Sequence, residues 1–220
     1  MLIRHWMAKH VISVDPNDSL LKCRALYQTH GISRLPVVDR ENRVVGILSH
    51  NDIEKFKPAS ETGYEYIEAM DILDKTRVKE CMTKDPICAH VNDTIEMAAE
   101  KMLEHRVSCL PVLDDDARLA GIVSERDIFK SLVSITGIHQ PGVQLAFELP
   151  NQRGELRQLI SLVVAHDMRL VSVLSILKDN VRIVSIRCRG ASEQAEDAMI
   201  EDMKAQGLLY WVRGGKTHLV

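Results

Sequence analysis

Aromatic residues are scarce in this sequence, at 4% of 220 residues, and it contains no long uncharged hydrophobic run. A helix that spans a bilayer needs about 20 consecutive apolar residues, so we expect no membrane segment. The amino-terminal residues do not have the pattern of a secretory signal, and we therefore expect a cytoplasmic protein. The net charge of −3 gives no excess of Lys and Arg, which argues against a nucleic-acid partner.

Cysteine and histidine are present, but not in metal-binding patterns. The five cysteines form no C-x-x-C pair, and the nine histidines show no ligand spacing such as H-E-x-x-H. We expect the cysteines to be buried thiols in a reducing compartment. No nucleophile with an acid–base partner is evident, so the sequence predicts no catalytic residues, no metal, no catalytic cofactor and no enzyme.

An internal repeat organises the first two thirds of the chain. Residues 7–55 reappear at 82–130 with a constant shift of 75, and about eighteen of roughly fifty positions are identical. The agreement is closest at Leu35-Pro36-Val37, which matches Leu110-Pro111-Val112. A unit of about fifty residues is too small to bury its open face alone, so we expect the two copies to pack together.

Each copy is predicted to form a β-α-β-β-α unit. A short leading strand at 11–14 or 87–89 precedes a polar cluster typical of a helix start, which ends in Ser19 or Thr94. Two strands and a second helix follow, the helix beginning after Ser49 or Ser124. In copy two, apolar residues of the first helix recur with helical spacing: Ile95, Ala98, Ala99, Met102 and Leu103. Between the copies, residues 57–63 have loop composition, and a short helix is predicted with one face formed by Tyr66, Ile67, Met70 and Leu73.

The heptad G-h-h-S-x-x-D occurs at the strand-to-helix junction of both copies, at 46–52 and 121–127. Glycine allows a ligand to approach the backbone, and a serine at a helix start can receive an anion together with the free N–H groups. The aspartate can accept two hydrogen bonds from a ribose diol. A purely structural interpretation, in which the serine is the N-cap and the aspartate stabilises the first turn, is equally compatible with the heptad alone.

With the proline-led strands and the duplication, residues 1 to about 134 resemble a tandem pair of CBS domains, a Bateman module. The resemblance implies a regulatory adenosyl ligand, AMP, ADP, ATP or S-adenosylmethionine, in clefts between the copies. It implies that Asp52 and Asp127 hold ribose hydroxyls and that Ser49 and Ser124 face phosphate. The residues implied to contact the base are Ile12, Ser13, Ile32, Ile87, Cys88 and Val107. The implied ligand-binding set also includes Pro36, Pro111 and the residues of the next paragraph.

The copies differ where the resemblance places the phosphate. Arg34 precedes the Leu-Pro-Val strand in copy one, whereas copy two has Cys109 there. Copy two instead carries Arg126, where copy one has Asn51. We expect these positions to contribute to the sites, although an arginine at either position also fits an exposed, solvated charge.

The carboxy-terminal part is predicted to fold separately, in the order β-α-β-β-α-β of the ferredoxin-like pattern. Its turn at 151–156 resembles the ligand turn of ACT domains, with Asn151 in place of an acidic residue, Arg153 in place of proline, and Gly154 and Leu156 as in the family. The architecture as a whole resembles the bacterial acetoin-utilisation B proteins.

The sequence therefore predicts an α+β / α/β fold with this organisation: CBS 1 at 1–57, a linker with a short helix at 58–76, CBS 2 at 77–134, a linker at 135–141, the ACT-like domain at 142–213 and a tail at 214–220. The function expected from the resemblance is sensing of an adenosyl nucleotide by a homodimer and relay of its occupancy to an unidentified protein partner. Two alternatives stay open: an oligomerisation scaffold with degenerate pockets, and an amino-acid sensor acting through the ACT-like domain.

Overall fold

A computed structural model describes residues 1–56 and 63–220, which fold into two compact units, Met1–Phe129 and Lys130–Val220. Among these residues no helix has both the length and the apolar character needed to cross a membrane. The loop predicted at 57–63 lies outside the described residues except for Gly63. The helices are α1 Leu20–His30, α2 His50–Glu54, α3 Tyr64–Lys75, α4 Val78–Cys81, α5 Ile95–His105, α6 Glu125–Thr136, α7 Glu155–Ala165 and α8 Glu193–Lys204.

The strands are β1 Arg34–Val38, β2 Val44–Ser49, β3 Thr83–Lys84, β4 Ala89–His90, β5 Cys109–Leu113, β6 Leu119–Ser124, β7 Val143–Pro150, β8 Arg169–Lys178, β9 Val181–Arg189, β10 Leu208–Arg213 and β11 Lys216–Leu219. In the first unit they form two three-stranded sheets, with orders β1-β2-β3 and β4-β5-β6. Each sheet contains the hairpin predicted for its copy, and both hairpins have a bulge at the same repeat position, after Val37 and Val112.

The two copies exchange the segments at their starts, which we call the leading segments: residues 3–8 of copy one and 78–87 of copy two. Strand β3, which starts copy two, pairs antiparallel with β2 of copy one, and Ala8 of copy one bridges to Ile122 in β6. The hydrophobic cores follow the same exchange, since Ile3 packs with copy two and Val78 packs with copy one. The predicted boundaries 1–57 and 77–134 follow the sequence repeat, whereas the packing makes each copy depend on the other.

A glycine in each hairpin permits this exchange. A Cβ added at Gly121 would lie 2.5 Å from the Sδ atom of Met7 and 3.0 Å from the carbonyl oxygen of Ala8. A Cβ at Gly46 would collide in the same way with Met82, the repeat partner of Met7. The glycine of the heptad therefore favours close packing of the other copy's leading segment, which any side chain at this position would disturb.

Several details of the predicted copies need correction. The leading strands are reduced to a bridge between Val14 and Val37 and to the two-residue strand β4, because the preceding residues have no strand partner among those described. Leu103 does not belong to the buried face of α5 and is 81% exposed. Ile67 of α3 is likewise exposed, and Ala69 is buried on that helix instead. In both helices the predicted apolar face includes a residue that the hydrophobic core does not bury.

In the second unit, the order β7-α7-β8-β9-α8-β10 is the β-α-β-β-α-β order predicted from the sequence. The sheet has the order β11-β10-β7-β9-β8, and β7 lies in its middle. The core between the sheet and the helices is formed by Leu145, Phe147, Ile186, Met199 and Met203, among others.

Within the predicted tail at 214–220, Lys216–Leu219 form strand β11, which pairs with β10. Gly214 and Gly215 connect the two strands with φ angles of 56° and 78°. Two consecutive left-handed residues form the tight turn that suits a two-residue hairpin, and glycine adopts this conformation without a steric penalty.

All five cysteines are free thiols. Cys23, Cys109 and Cys188 are buried, whereas Cys81 and Cys88 are half-buried. Burial raises the pKa of the Cys23 and Cys188 thiols to about 12. The expectation of buried thiols is therefore confirmed for three of the five.

Repeat partners Asp18 and Asp93 stabilise the entry to α1 and α5. The Asp18 carboxylate accepts a hydrogen bond from the Asp15 N–H at 2.9 Å, and that of Asp93 accepts one from the His90 N–H at 3.0 Å. A lysine ammonium, of Lys22 or Lys101, lies 2.8 Å from the same carboxylate. Burial acts to raise the pKa of both carboxyls, but the lysine and backbone hydrogen bonds outweigh it, and each pKa is lowered.

We predict that Gly121→Ala lowers the free energy of unfolding by about 1–3 kcal/mol, because Met7 and the Ala8 carbonyl have to move away from the new Cβ. Urea denaturation measures this difference. In the Met7→Ala background the same glycine substitution should cost less, because the obstructing side chain is absent. Equal stability of Gly121→Ala and the wild-type chain would contradict the close approach described above.

We predict that Asp93→Asn lowers stability by about 1–2 kcal/mol at neutral pH, because the amide loses the charge that the Lys101 ammonium and the His90 N–H stabilise. A carboxyl whose pKa is lowered in the folded state contributes stability above its unfolded pKa, about 3.9, and loses it as the pH falls through the folded value. Urea denaturation across this acidic range should show the wild-type and variant stabilities converging. A difference that does not change with pH would rule out the charge as its cause.

Candidate functional site

The heptad of copy one forms a reciprocal cap at the start of α2. The Asp52 carboxylate accepts hydrogen bonds from the Ser49 N–H at 2.9 Å and from the Ser49 hydroxyl at 2.6 Å. The Asp52 N–H donates in turn to the Ser49 hydroxyl oxygen at 3.3 Å. This is the arrangement of a capping box. The structural interpretation of the heptad, in which Ser49 is the N-cap and Asp52 stabilises the first turn, is therefore confirmed.

The Asp52 carboxylate is ionised and oriented by this cap. Burial acts to raise its pKa, but the hydrogen bonds from the Ser49 hydroxyl and N–H and the ammonium of Lys55, 3.1 Å away, outweigh it and lower the pKa. A carboxylate oxygen has two lone pairs; both Ser49 bonds go to Oδ2 and the Lys55 ammonium donates to Oδ1, so one acceptor position of Oδ1 stays open. The side chain is therefore a preorganised acceptor that can still receive hydrogen bonds.

Copy two repeats the arrangement at the start of α6. The Ser124 N–H and hydroxyl donate to the Asp127 carboxylate at 3.1 and 2.6 Å. The near identity of the two junctions follows from the identical Ser and Asp positions in the repeat.

A cleft of about 640 Å³ lies between the two copies, and both contribute to its walls. Copy one supplies Arg34, Ile47, Ser49 and Asp52. The leading segment of copy two supplies Thr83, Asp85, Pro86 and Ile87. The remainder of copy two supplies Met102, Leu103, Arg106, Val107, Ser108, Cys109, Pro111 and Glu125.

Six of the predicted ligand-binding residues meet in this cleft: Arg34, Ser49, Asp52, Ile87, Val107 and Pro111. The cleft therefore combines the carboxylate and hydroxyl of copy one with apolar residues of copy two. The other predicted residues do not line it: Ile12, Ser13, Ile32, Pro36, Asn51, Cys88, Ser124, Arg126 and Asp127. Of these, Asn51 and Arg126 are exposed in the first turns of α2 and α6.

Arg34 connects the two copies at the cleft. Its guanidinium donates to the Ser33 carbonyl oxygen at 2.9 Å and to the Ser108 hydroxyl of copy two at 3.2 Å. Its repeat partner Cys109 also lines the cleft and is 8% exposed. Burial raises the pKa of the Cys109 thiol, although Arg34 acts in the opposite direction. One guanidinium and one neutral thiol therefore occupy equivalent positions.

Sequence reasoning missed several residues of the cleft, above all Leu103 and Arg106. Leu103 was predicted to lie on the apolar face of α5, because it continues the helical spacing of apolar residues. It lines the cleft and is exposed to solvent instead. Arg106 stands where copy one has Gly31, and this difference between the copies was a signal available in the alignment. Asp85 and Pro86 lie in the exchanged segment, whose position depends on packing.

The turn of the second unit lines a cleft of about 570 Å³ with Arg153, Gly154 and Leu156. Arg157 and Arg182 line it as well. Asn151 does not line it. Its side-chain N–H donates to Oδ1 of Asn180 at 3.5 Å, and its Oδ1 accepts from the Arg182 guanidinium at 3.3 Å. Gly154, with φ 104°, is the N-cap of α7 and provides no side-chain cap.

Comparison with known proteins identifies relatives of the first unit. Inosine-5′-monophosphate dehydrogenase of Methanocaldococcus jannaschii is 40% identical over 123 residues, which are 56% of this chain and 22% of the dehydrogenase. The chain thus spans about a fifth of that enzyme's length. An uncharacterised protein of the same organism is 30% identical over 155 residues, 60% of this chain and 92% of that protein.

Among solved structures, the CBS-pair protein CBSX2 from Arabidopsis thaliana matches with a TM-score of 0.52 and 25% identity over 61% of this chain and 95% of its own. CBSX2 in complex with AMP matches with a TM-score of 0.51 and 23% identity over 61% and 97% of the two chains. The model of the family described as CBS domain matches residues 3–58 and 78–134. The chain therefore belongs to the CBS domain family and carries two copies of the domain as a tandem pair.

Proposed function

We propose that the cleft between the two copies binds an adenosyl ligand, AMP, ADP, ATP or S-adenosylmethionine, and that its occupancy regulates a partner. The observation that carries the proposal is the meeting of Ser49 and Asp52 of copy one with Ile87 and Val107 of copy two in a single cleft. The four residues supply a polar wall and an apolar wall, which a nucleoside requires of its binding site.

The ribose is assigned to Asp52. Its carboxylate is held by Ser49 before any ligand arrives, so little side-chain freedom is lost on binding. A cis-diol presents two hydroxyl donors, and Oδ1 of Asp52 accepts both once the exposed Lys55 ammonium moves away from it. A negatively charged acceptor also makes stronger hydrogen bonds than a neutral one.

The base is assigned to the apolar side of the cleft. Ile87 is 37% exposed and Leu103 is 81% exposed, although both are large apolar side chains. A planar base placed against them would remove this apolar surface from water, which is favourable at about 25 cal/mol per Å². Contact of apolar side chains with water is unfavourable, and a ligand that covers Ile87 and Leu103 would remove part of this contact.

The phosphate or another charged group is assigned to Arg34 of copy one. Its guanidinium already donates to the hydroxyl of Ser108 in copy two. CBSX2, which shares the fold, has been crystallised with AMP. This supports the ligand class proposed for the present chain. The dehydrogenase relatives are far longer than the matched region, so their catalytic activity is not part of the proposal.

The regulatory step is proposed to be a change in the packing of the two copies. A ligand shifts such an equilibrium only if it binds one arrangement better than the other. Because residues of both copies line the cleft, a ligand bound there would contact both. We further propose a homodimeric, cytoplasmic protein whose second unit is ACT-like and relays occupancy to a partner in acetoin or central carbon metabolism, as its resemblance to the acetoin-utilisation B proteins suggests.

A second candidate function is amino-acid binding at the turn of the second unit. Arg153, Arg157 and Arg182 all line the cleft there, and the first N–H groups of α7 have no side-chain cap. Guanidinium groups and free helix N–H groups both suit a carboxylate. Titration with a panel of amino acids tests this candidate independently of the first unit, and absence of binding would leave that unit as a scaffold.

We predict that Asp52→Ala lowers the affinity for AMP by at least about tenfold, because the hydrogen bonds from the ribose diol lose their charged acceptor. Isothermal titration calorimetry on the full chain measures the change. The matched control is Asp18→Ala, which removes another capping carboxylate of copy one that does not line the cleft.

Both variants should be less stable than the wild-type chain, but only Asp52→Ala should lose affinity. Equal affinity of both variants for AMP would contradict the assignment of the ribose. Absence of binding of any adenosyl compound to the wild-type chain would contradict the proposed function itself.

A further inference from the structure

The two oxygens of the Asp52 carboxylate have different partners. Oδ2 accepts both hydrogen bonds of the cap, from the Ser49 N–H at 2.9 Å and from the Ser49 hydroxyl at 2.6 Å. Oδ1 accepts a hydrogen bond from the Lys55 ammonium at 3.1 Å. The cap uses both lone pairs of Oδ2, so a ligand hydroxyl has to be accepted by Oδ1, the oxygen that Lys55 contacts.

The capping carboxylates Asp18 and Asp93 pair with lysine in a different way. In each of them the backbone N–H and the lysine ammonium donate to the same oxygen, Oδ2. Lys22 and Lys101 therefore bind an oxygen that the backbone already uses. Lys55 instead binds the oxygen that the cap of its helix leaves available.

The Lys55 side chain can leave this position without breaking the cap. It is 71% exposed, and an ion pair at such a position contributes little to stability, because water solvates the free ammonium well. Lys55 is the C-cap of α2 and does not line the cleft. The ammonium thus reaches Asp52 without itself forming part of the cleft wall.

We propose that Lys55 competes with the ligand ribose for Asp52 and thereby lowers the affinity of the cleft for its ligand. This inference rests on the proposed function and adds a regulation of the same site. With Lys55 in place, Oδ1 has one acceptor position left, so only one hydroxyl of the diol can bond to it. Binding of both hydroxyls requires the ammonium to leave.

Competition by a charged group makes the affinity depend on ionic strength. Salt screens the attraction between exposed charges, so Lys55 holds Asp52 less tightly as the salt concentration rises. Adenosine is uncharged, and screening does not weaken its own attraction to the cleft. The affinity of the wild-type chain for adenosine should therefore rise with ionic strength.

Lys55 is not needed to keep the Asp52 carboxylate charged. Burial acts to raise the pKa of this carboxyl, and the two Ser49 hydrogen bonds oppose burial more strongly than Lys55 does. The carboxylate therefore stays ionised when the lysine is replaced. Removal of Lys55 frees an acceptor position and leaves the charge of the acceptor in place.

The test is isothermal titration of adenosine into the full-length wild-type chain and into Lys55→Met, at low and at high salt concentration. Methionine approximates the length of the lysine side chain and removes the ammonium. We expect Lys55→Met to bind adenosine about twofold to fivefold more tightly at low salt, which is the range that an exposed ion pair contributes. This advantage over the wild-type chain should shrink as the salt concentration is raised.

Three further measurements serve as controls. Lys22→Met removes the ammonium that pairs with Asp18, which does not line the cleft, and should leave the adenosine affinity unchanged. Lys55→Arg keeps the positive charge and should stay close to the wild-type affinity. In the Asp52→Ala background, Lys55→Met should no longer raise the affinity, because the carboxylate for which the two groups compete is absent.

The outcomes separate this inference from the proposed function. If adenosine binds Lys55→Met no better than the wild-type chain, the competition is wrong while the proposed function stands. A gain of the same size at every salt concentration, or one that persists without Asp52, also overturns the competition. Failure of adenosine and AMP to bind either the wild-type chain or Lys55→Met overturns both.

Discussion

The exchange of leading segments between the two copies is the constraint on which the cleft depends. Strand β3 lies close on β2 where Gly46 has no side chain, and the Met82 side chain and the Thr83 carbonyl occupy the space that a Cβ would need. This pairing brings the chain from Thr83 to Ile87 to the side of Ser49 and Asp52. The glycine of the heptad thus acts first as a packing residue, and the cleft is a consequence of that packing.

The cap at α2 provides one set of contacts both for stability and for the proposed binding. Ser49 and Asp52 stabilise the first turn of the helix by reciprocal hydrogen bonds. The same bonds orient the Asp52 carboxylate and keep it ionised at the edge of the cleft. The structural and functional interpretations of the heptad are therefore compatible. A helix cap that faces a cleft is a preorganised acceptor, and the fold has already met the cost of ordering it.

The sequence predicted the features that depend on local pattern and on the repeat. The hairpins, the N-caps Ser19 and Thr94 and the helices after Ser49 and Ser124 all follow from residue types at fixed offsets. The strand β11 had a local signal as well, the glycine pair at 214 and 215, which was overlooked. The exchange of leading segments had no such signal, because register between distant segments is decided by packing across the whole unit. The same limit hid Leu103 and Arg106, whose spacing alone does not distinguish a core face from a cleft wall.

We propose above all that the cleft between the two copies holds an adenosyl ligand in a defined orientation. A crystal structure of the full chain grown with AMP tests it most directly. We expect the ribose hydroxyls within hydrogen-bond distance of the Asp52 carboxylate, the adenine against Ile87 and Val107, and the phosphate at Arg34. Density for AMP at another surface of the protein, or AMP in this cleft with its ribose turned away from Asp52, would contradict the account.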